Sequence, residues 1–125
     1  MAIDRRSEIT SNLQVVRDEI SKAVINAGRS LDEITLIAVT KTFPASDVEI
    51  LRDLGVTDFG ENRDADAAPK AADVAGTWHF QGQIQSNKLK SITSWAKVIH
   101  SLDEIRHFEV IEKSAPHPLD IFCQV

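Results

Sequence analysis

Residues 34–62, ITLIAVTKTFPASDVEILRDLGVTDFGEN, hold one full cycle of the pattern that decides the fold. Ile34 to Val39 is a short apolar run, rich in β-branched residues and without helical spacing, which predicts a strand buried on both faces. Pro44 announces a helix, and Ser46 with Glu49 three residues later reads as a capping box in which each side chain satisfies the other's backbone N–H. Leu54-Gly55 closes that helix, and Val56 to Phe59 starts the next strand.

The same grammar extends in both directions. Upstream, Ile9, Leu13, Val16, Ile20, Val24 and Ala27 recur at helical spacing and stop at Gly28, predicting an amphipathic helix. Downstream come a polar helical stretch ending at Gly76, a strand at Trp78-His79-Phe80, a helix from Ser86 and a strand at Lys97 to His100. Ser101 to Glu104 reads as a second capping box, opening a helix with Ile105, Phe108 and Ile111 inward, and Leu119 to Val125 is the last strand. Strand midpoints at Ile37, Asp58, His79, Val98 and Ile121 recur at roughly 20 residues, the period of a βα unit with short loops. Such alternation implies a parallel sheet, either doubly wound or closed as a barrel. The last strand runs to Gln124-Val125 with no helix after it, so residues 1–125 are expected to be the N-terminal part of one domain, and an eight-unit barrel needs roughly as much chain again.

Composition narrows the function. A formal net charge of -5, with 14 Lys and Arg scattered among 19 Asp and Glu, argues against a nucleic-acid-binding surface. Lys88 and Lys90 read as a solvated helix face. No run approaches a membrane span, and the N-terminus carries early charge without an apolar core, so a cytoplasmic protein is expected. The single cysteine, Cys123 in LDIFCQV, reads as a small hydrophobe on a buried strand. His79, His100, His107 and His117 show no metal-ligand spacing, so no metal is assigned; the first two read as satisfied interior histidines and the last two as exposed.

In parallel α/β folds the functional residues follow the strands. They are here Thr40-Lys41-Thr42, Gly60-Glu61-Asn62, Gln81-Gly82-Gln83 and Ser101. A lysine straight after Ala38-Val39-Thr40 emerges at the sheet's mouth, where a free amine can attack an aldehyde, although position alone favours a solvated or phosphate-contacting lysine over a Schiff base. Gln85, Ser86 and Asn87 sit at a helix start, where they serve either as an anion site or as a plain N-cap.

Three segments, Ala38-Val39-Thr40-Lys41-Thr42 with Pro44, Asp58-Phe59-Gly60-Glu61-Asn62, and Trp78-His79-Phe80 with Gly82 and Gln85-Ser86-Asn87-Lys88, resemble in order and spacing those of the YggS/PROSC-type pyridoxal phosphate homeostasis family. The resemblance implies a TIM (β/α)8 barrel of the alanine racemase N-terminal type, of which about the first half is present. It implies pyridoxal 5'-phosphate as cofactor, held as a Schiff base on Lys41, with Asn62 near the cofactor and the phosphate taken by loops after later strands, outside these residues. It implies a role in vitamin B6 and amino-acid homeostasis, with binding rather than catalytic turnover. The chain departs from the family at Thr40, commonly Ser, at Phe43, often basic, and at Arg63-Asp64-Ala65-Asp66.

Two other readings compete. An amino-acid racemase needs a second base opposite Lys41, and the chain contains no tyrosine. A non-covalent α/β ligand-binding domain is disfavoured because neither a Gly-x-Gly-x-x-Gly nor a Walker-type loop occurs. The expected partner is the small-molecule cofactor, with neither nucleic acid nor membrane. The complete protein is expected to be a monomer. In the present chain the inner faces of Leu36, Val39, Phe80 and Ile121 are expected to lack opposing layers, favouring self-association.

Overall fold

The computed structural model describes residues 4–125. Helix α1 (Arg5–Asn26) precedes five strands alternating with helices: β1 (Ile37–Val39), α2 (Ala45–Asp53), β2 (Asp58–Glu61), α3 (Asp64–Asp73), β3 (Thr77–Phe80), α4 (Leu89–Trp95), β4 (Val98–Leu102), α5 (Ile105–Ser114) and β5 (Asp120–Cys123). The strands are parallel and lie in chain order, β1-β2-β3-β4-β5. Because parallel crossovers are right-handed, an unreversed order keeps every helix on one face of the sheet. That removes the doubly wound alternative for these strands, since double winding needs a reversal of order.

One face of the sheet is therefore core and the other is open. On the helix side, Phe59, Val74, Trp78, Val48, Val56 and Leu13 form one cluster, and Phe80, Ile84, Leu89, Ile92, Ile99 and Ile111 belong to a second. Half-buried Trp95 touches both. Phe59 is fully buried, so truncating it to Ala would cost about 3–5 kcal/mol. Alternation places Ile37, Val39, Asp58, Gly60, His79, His100 and Phe122 on the open face.

Several sequence expectations are corrected by this arrangement. Strand β1 is not buried on both faces, as Val39 is 52% exposed. Leu36, Phe80 and Ile121 do not face inward across a barrel; all pack against the helix-side clusters. Cys123 is exposed, on a strand that pairs only with β4 among the described residues. In α5 only Ile111 of the expected trio is buried, while Ile105 is 75% and Phe108 42% exposed. The helix turns its His107, Val110 and Ile111 side to the core instead. His107 is thus buried and His117 half-buried.

Neither expected capping box forms. Helix α2 starts at Ala45 with Pro44 as N-cap and no side-chain cap, because proline's fixed φ already suits a helix start. Ser101 and Leu102 extend β4, and α5 starts only after Glu104. The helix expected from Ser86 is a 3-10 turn, Ser86–Lys88, with α4 following, and the Ser86 hydroxyl meets His107 Nε2 at 3.0 Å. No helix among the described residues is long and apolar enough to cross a membrane.

Candidate functional site

The chain leaves β1 through a tight turn. Thr40 continues the ladder by donating its N–H to Gly60 O at 2.9 Å, and Phe43 N–H returns to Thr40 O at 3.1 Å. Within that turn Thr42 has φ of 71°, a left-handed value that costs a β-branched residue on the order of 1–3 kcal/mol. Lys41 stands at the apex, exposed, at the next open-face position above Val39. It takes part in none of the ion pairs formed among the described residues.

What holds this turn is buried beneath it. Lys70, on α3, donates through Nζ to Thr40 O at 3.0 Å and to Glu61 Oε2 at 2.9 Å, and the Thr40 hydroxyl donates to the same carboxylate oxygen. The Glu61 side chain is completely buried and that of Lys70 is 10% exposed. Glu61 Oε1 has no hydrogen-bond partner. From the outside, the Arg5 guanidinium grips Asp47 Oδ2 at 2.6 Å and lies 5.5 Å above the Phe43 ring. That contact, more than the nearby Glu8, raises the Arg5 guanidinium above its ordinary value. Phe43 thus serves as a shelf for an arginine from α1.

Asn62 lies after β2, exposed, and its carbonyl oxygen is packed against Gly82 so closely that a Cβ there would overlap it. Ser101 ties the other side of that junction by donating its hydroxyl to Gly82 O. Asn62, Arg63, Gln83, Gln85 and Lys88 line one cavity of about 440 Å³ at the ends of β2 and β3. Lys41 does not line it.

The open face carries a polar row. Asp58 Oδ2 accepts from His79 Nε2 at 2.8 Å, and His79 Nδ1 lies 2.8 Å from His100 Nε2. Phe122 stacks on His100 with ring centroids 5.1 Å apart at 15°. Burial, and next the proximity of His79, push the His100 imidazole below its ordinary value. Reading His79 as a satisfied interior histidine agrees with these contacts. The linked row was nonetheless missed, although each of its two links spans 21 residues, the strand repeat itself. Glu61 with Lys70 left no such signal, since a charged pair nine residues apart looks like any solvated one.

Fold and site together define a parallel α/β protein whose candidate site residues lie on the open face and at the C-terminal ends of its strands. Comparison with known proteins makes this specific. The chain is a homologue of the pyridoxal phosphate homeostasis proteins: it is 34% identical to that of Mycobacterium leprae, over 98% of this chain and 56% of the relative. It is 37% identical to that of Escherichia coli K12, over 95% of this chain and 55% of the relative. The chain therefore spans about half the length of the curated relatives it matches. PipY of Synechococcus elongatus PCC7942, solved with PLP bound, superposes with a TM-score of 0.63 at 30% identity, covering 75% of this chain and 46% of PipY. A crystal structure of an unknown protein from Bifidobacterium adolescentis gives a TM-score of 0.77 at 30% identity, covering 90% and 52%. No protein-family model matches the chain.

Proposed function

We propose that residues 1–125 form the N-terminal part of a single (β/α)8 barrel that binds pyridoxal 5'-phosphate through a Schiff base on Lys41 and serves vitamin B6 and amino-acid homeostasis in the cytoplasm. The observation that carries this reading is the exposed Lys41 amine at the C-terminal end of β1, unpaired among the described residues, on a turn held from below by Lys70 and Glu61. The unreversed strand order and the PLP-bound relative support it. When bound, the cofactor supplies an aldehyde carbon for the amine to attack.

The chain's own residues do the rest. Lys41 supplies the nucleophile, the Thr40–Phe43 turn orients it, and Asn62 offers a polar side chain at the same end of the sheet. Borohydride reduction of the cofactor-loaded protein followed by peptide mass mapping tests the assignment. The expected label is on Lys41; label on Lys88 or Lys90 with Lys41 unmodified rejects it.

A further inference from the structure

The row Asp58–His79–His100 has a direction. A carboxylate only accepts, so Nε2 of His79 carries the proton it shares with Asp58. In neutral His79 the other nitrogen, Nδ1, is then an acceptor, and His100 must present Nε2–H to it across 2.8 Å. That leaves Nδ1 of His100 as the open acceptor at the end of the chain. The carboxylate at the other end is steadied, since Thr57 donates its hydroxyl to Asp58 Oδ1 at 2.8 Å.

Strand register gives the row its course. Asp58 pairs with Thr77, so His79 stands two residues higher on the next strand, and His79 pairs with Val98, so His100 again stands two higher. Val39, Gly60, His79 and Val98 share one rung, because Val39 pairs with Gly60 and Gly60 with His79. The next open-face positions above that rung are Lys41, Gln81 and His100. Gln81 confirms this side, as its amide covers the place a Gly60 Cβ would occupy. The row climbs from a carboxylate low on the sheet to an imidazole in the layer of Lys41.

We propose that Asp58, His79 and His100 are a proton relay on the open face, with His100 Nδ1 taking a proton from, and returning it to, an amine ligand reacting at Lys41. This deepens the function proposed above and rests on it. An ammonium group must lose a proton before it attacks a carbonyl carbon. That proton goes to His100 Nδ1, the Nε2 proton of His100 passes to His79 Nδ1, and the positive charge comes to rest on His79 beside Asp58. Only N–H bonds form and break, and no redox partner is required. His100 touches the ligand; His79 and Asp58 act through it, and the stack of Phe122 fixes the plane of its ring. The groups that face His100 are His79 from β3 and Phe122 from β5, and on the open face β5 adds only exposed Asp120 one rung below.

Two readouts test the relay. In the cofactor-free protein, two-bond ¹H–¹⁵N spectra of the imidazoles should show protons on Nε2 of both rings. Asp58→Asn should remove the acceptor that fixes this pattern and mix the tautomers of both rings. A proton on His100 Nδ1 in the unmodified protein overturns the relay whether or not Lys41 binds the cofactor. In the loaded protein, exchange of the bound cofactor with an added amino acid, followed by absorbance, should slow on the order of a hundredfold in His100→Phe. His100→Asn is the second variant should Phe disturb the fold. Unchanged exchange with borohydride label still on Lys41 rejects the relay alone; absence of that label rejects the Lys41 assignment instead.

Discussion

Burying Glu61 beside Lys70 is tolerable only because each neutralises the other, and Lys70 uses a second proton to hold Thr40 O. Removing one partner strands a charge. Lys70→Met should therefore cost about 3–5 kcal/mol of unfolding free energy in urea melts, while adding Glu61→Gln should recover most of that loss. If the single and double variants melt alike, the pair does not support the turn. His100 gives a second residue-scale test. Its folded form disfavours the proton, so the unfolded chain binds protons more readily and stability falls as pH drops from about 6.5 through the lower folded value. Above that window the contribution is complete. Thermal melts between about pH 7.5 and about pH 5 should show a shallower acid loss in His100→Phe than in the unmodified protein, with the melting temperature as the readout.

At the scale of elements, the tetrapeptide Ser-Leu-Asp-Glu occurs twice and folds in different ways. At Ser30–Glu33 it makes a true capping box, the Ser30 side chain accepting from backbone N–H and the Glu33 carboxylate accepting from Ser30 N at 3.0 Å. At Ser101–Glu104 the first two residues finish β4, because the hydroxyl of Ser101 is claimed by Gly82 O and Leu102 is buried. Strand spacing and helix periods were legible because they follow from pattern; which serine caps was decided by a strand-end contact that no local window contains. The strand-end junction also needs a glycine at position 82. A Cβ at that position would overlap the Asn62 carbonyl, which is backbone and cannot swing aside. Gly82→Ala should cost about 1–3 kcal/mol and shift the Asn62 and Ser101 amide resonances together. An unchanged melt with unmoved resonances would show that the junction yields freely.

For the whole molecule, the decisive fact is asymmetry between the two faces of one sheet. The helix side was readable as apolar runs, but the side of each residue was not. Phe80 and Ile121 entered the helix-side core while Val39 and Phe122 remain 52% and 57% exposed. Among the described residues strands β1 and β5 each have a single neighbour, so both present backbone groups unpaired there along one edge, and β5 adds an apolar fringe in which Ile105, Phe108 and Cys123 line one groove. Edges of this kind recruit another strand unless charge or covering structure blocks them. The expected outcome is that the 125-residue polypeptide, on its own, runs above its monomer mass of 13.8 kDa in size-exclusion chromatography with light scattering, and retains pyridoxal phosphate poorly through the column. Placing Lys at Phe122 should shift it towards monomer by charging the open edge, whereas Lys at exposed Val15 on α1 should not. A sharp monomer peak that carries the cofactor would mean that the edges are already protected and that the proposed barrel needs no further strands to hold its ligand.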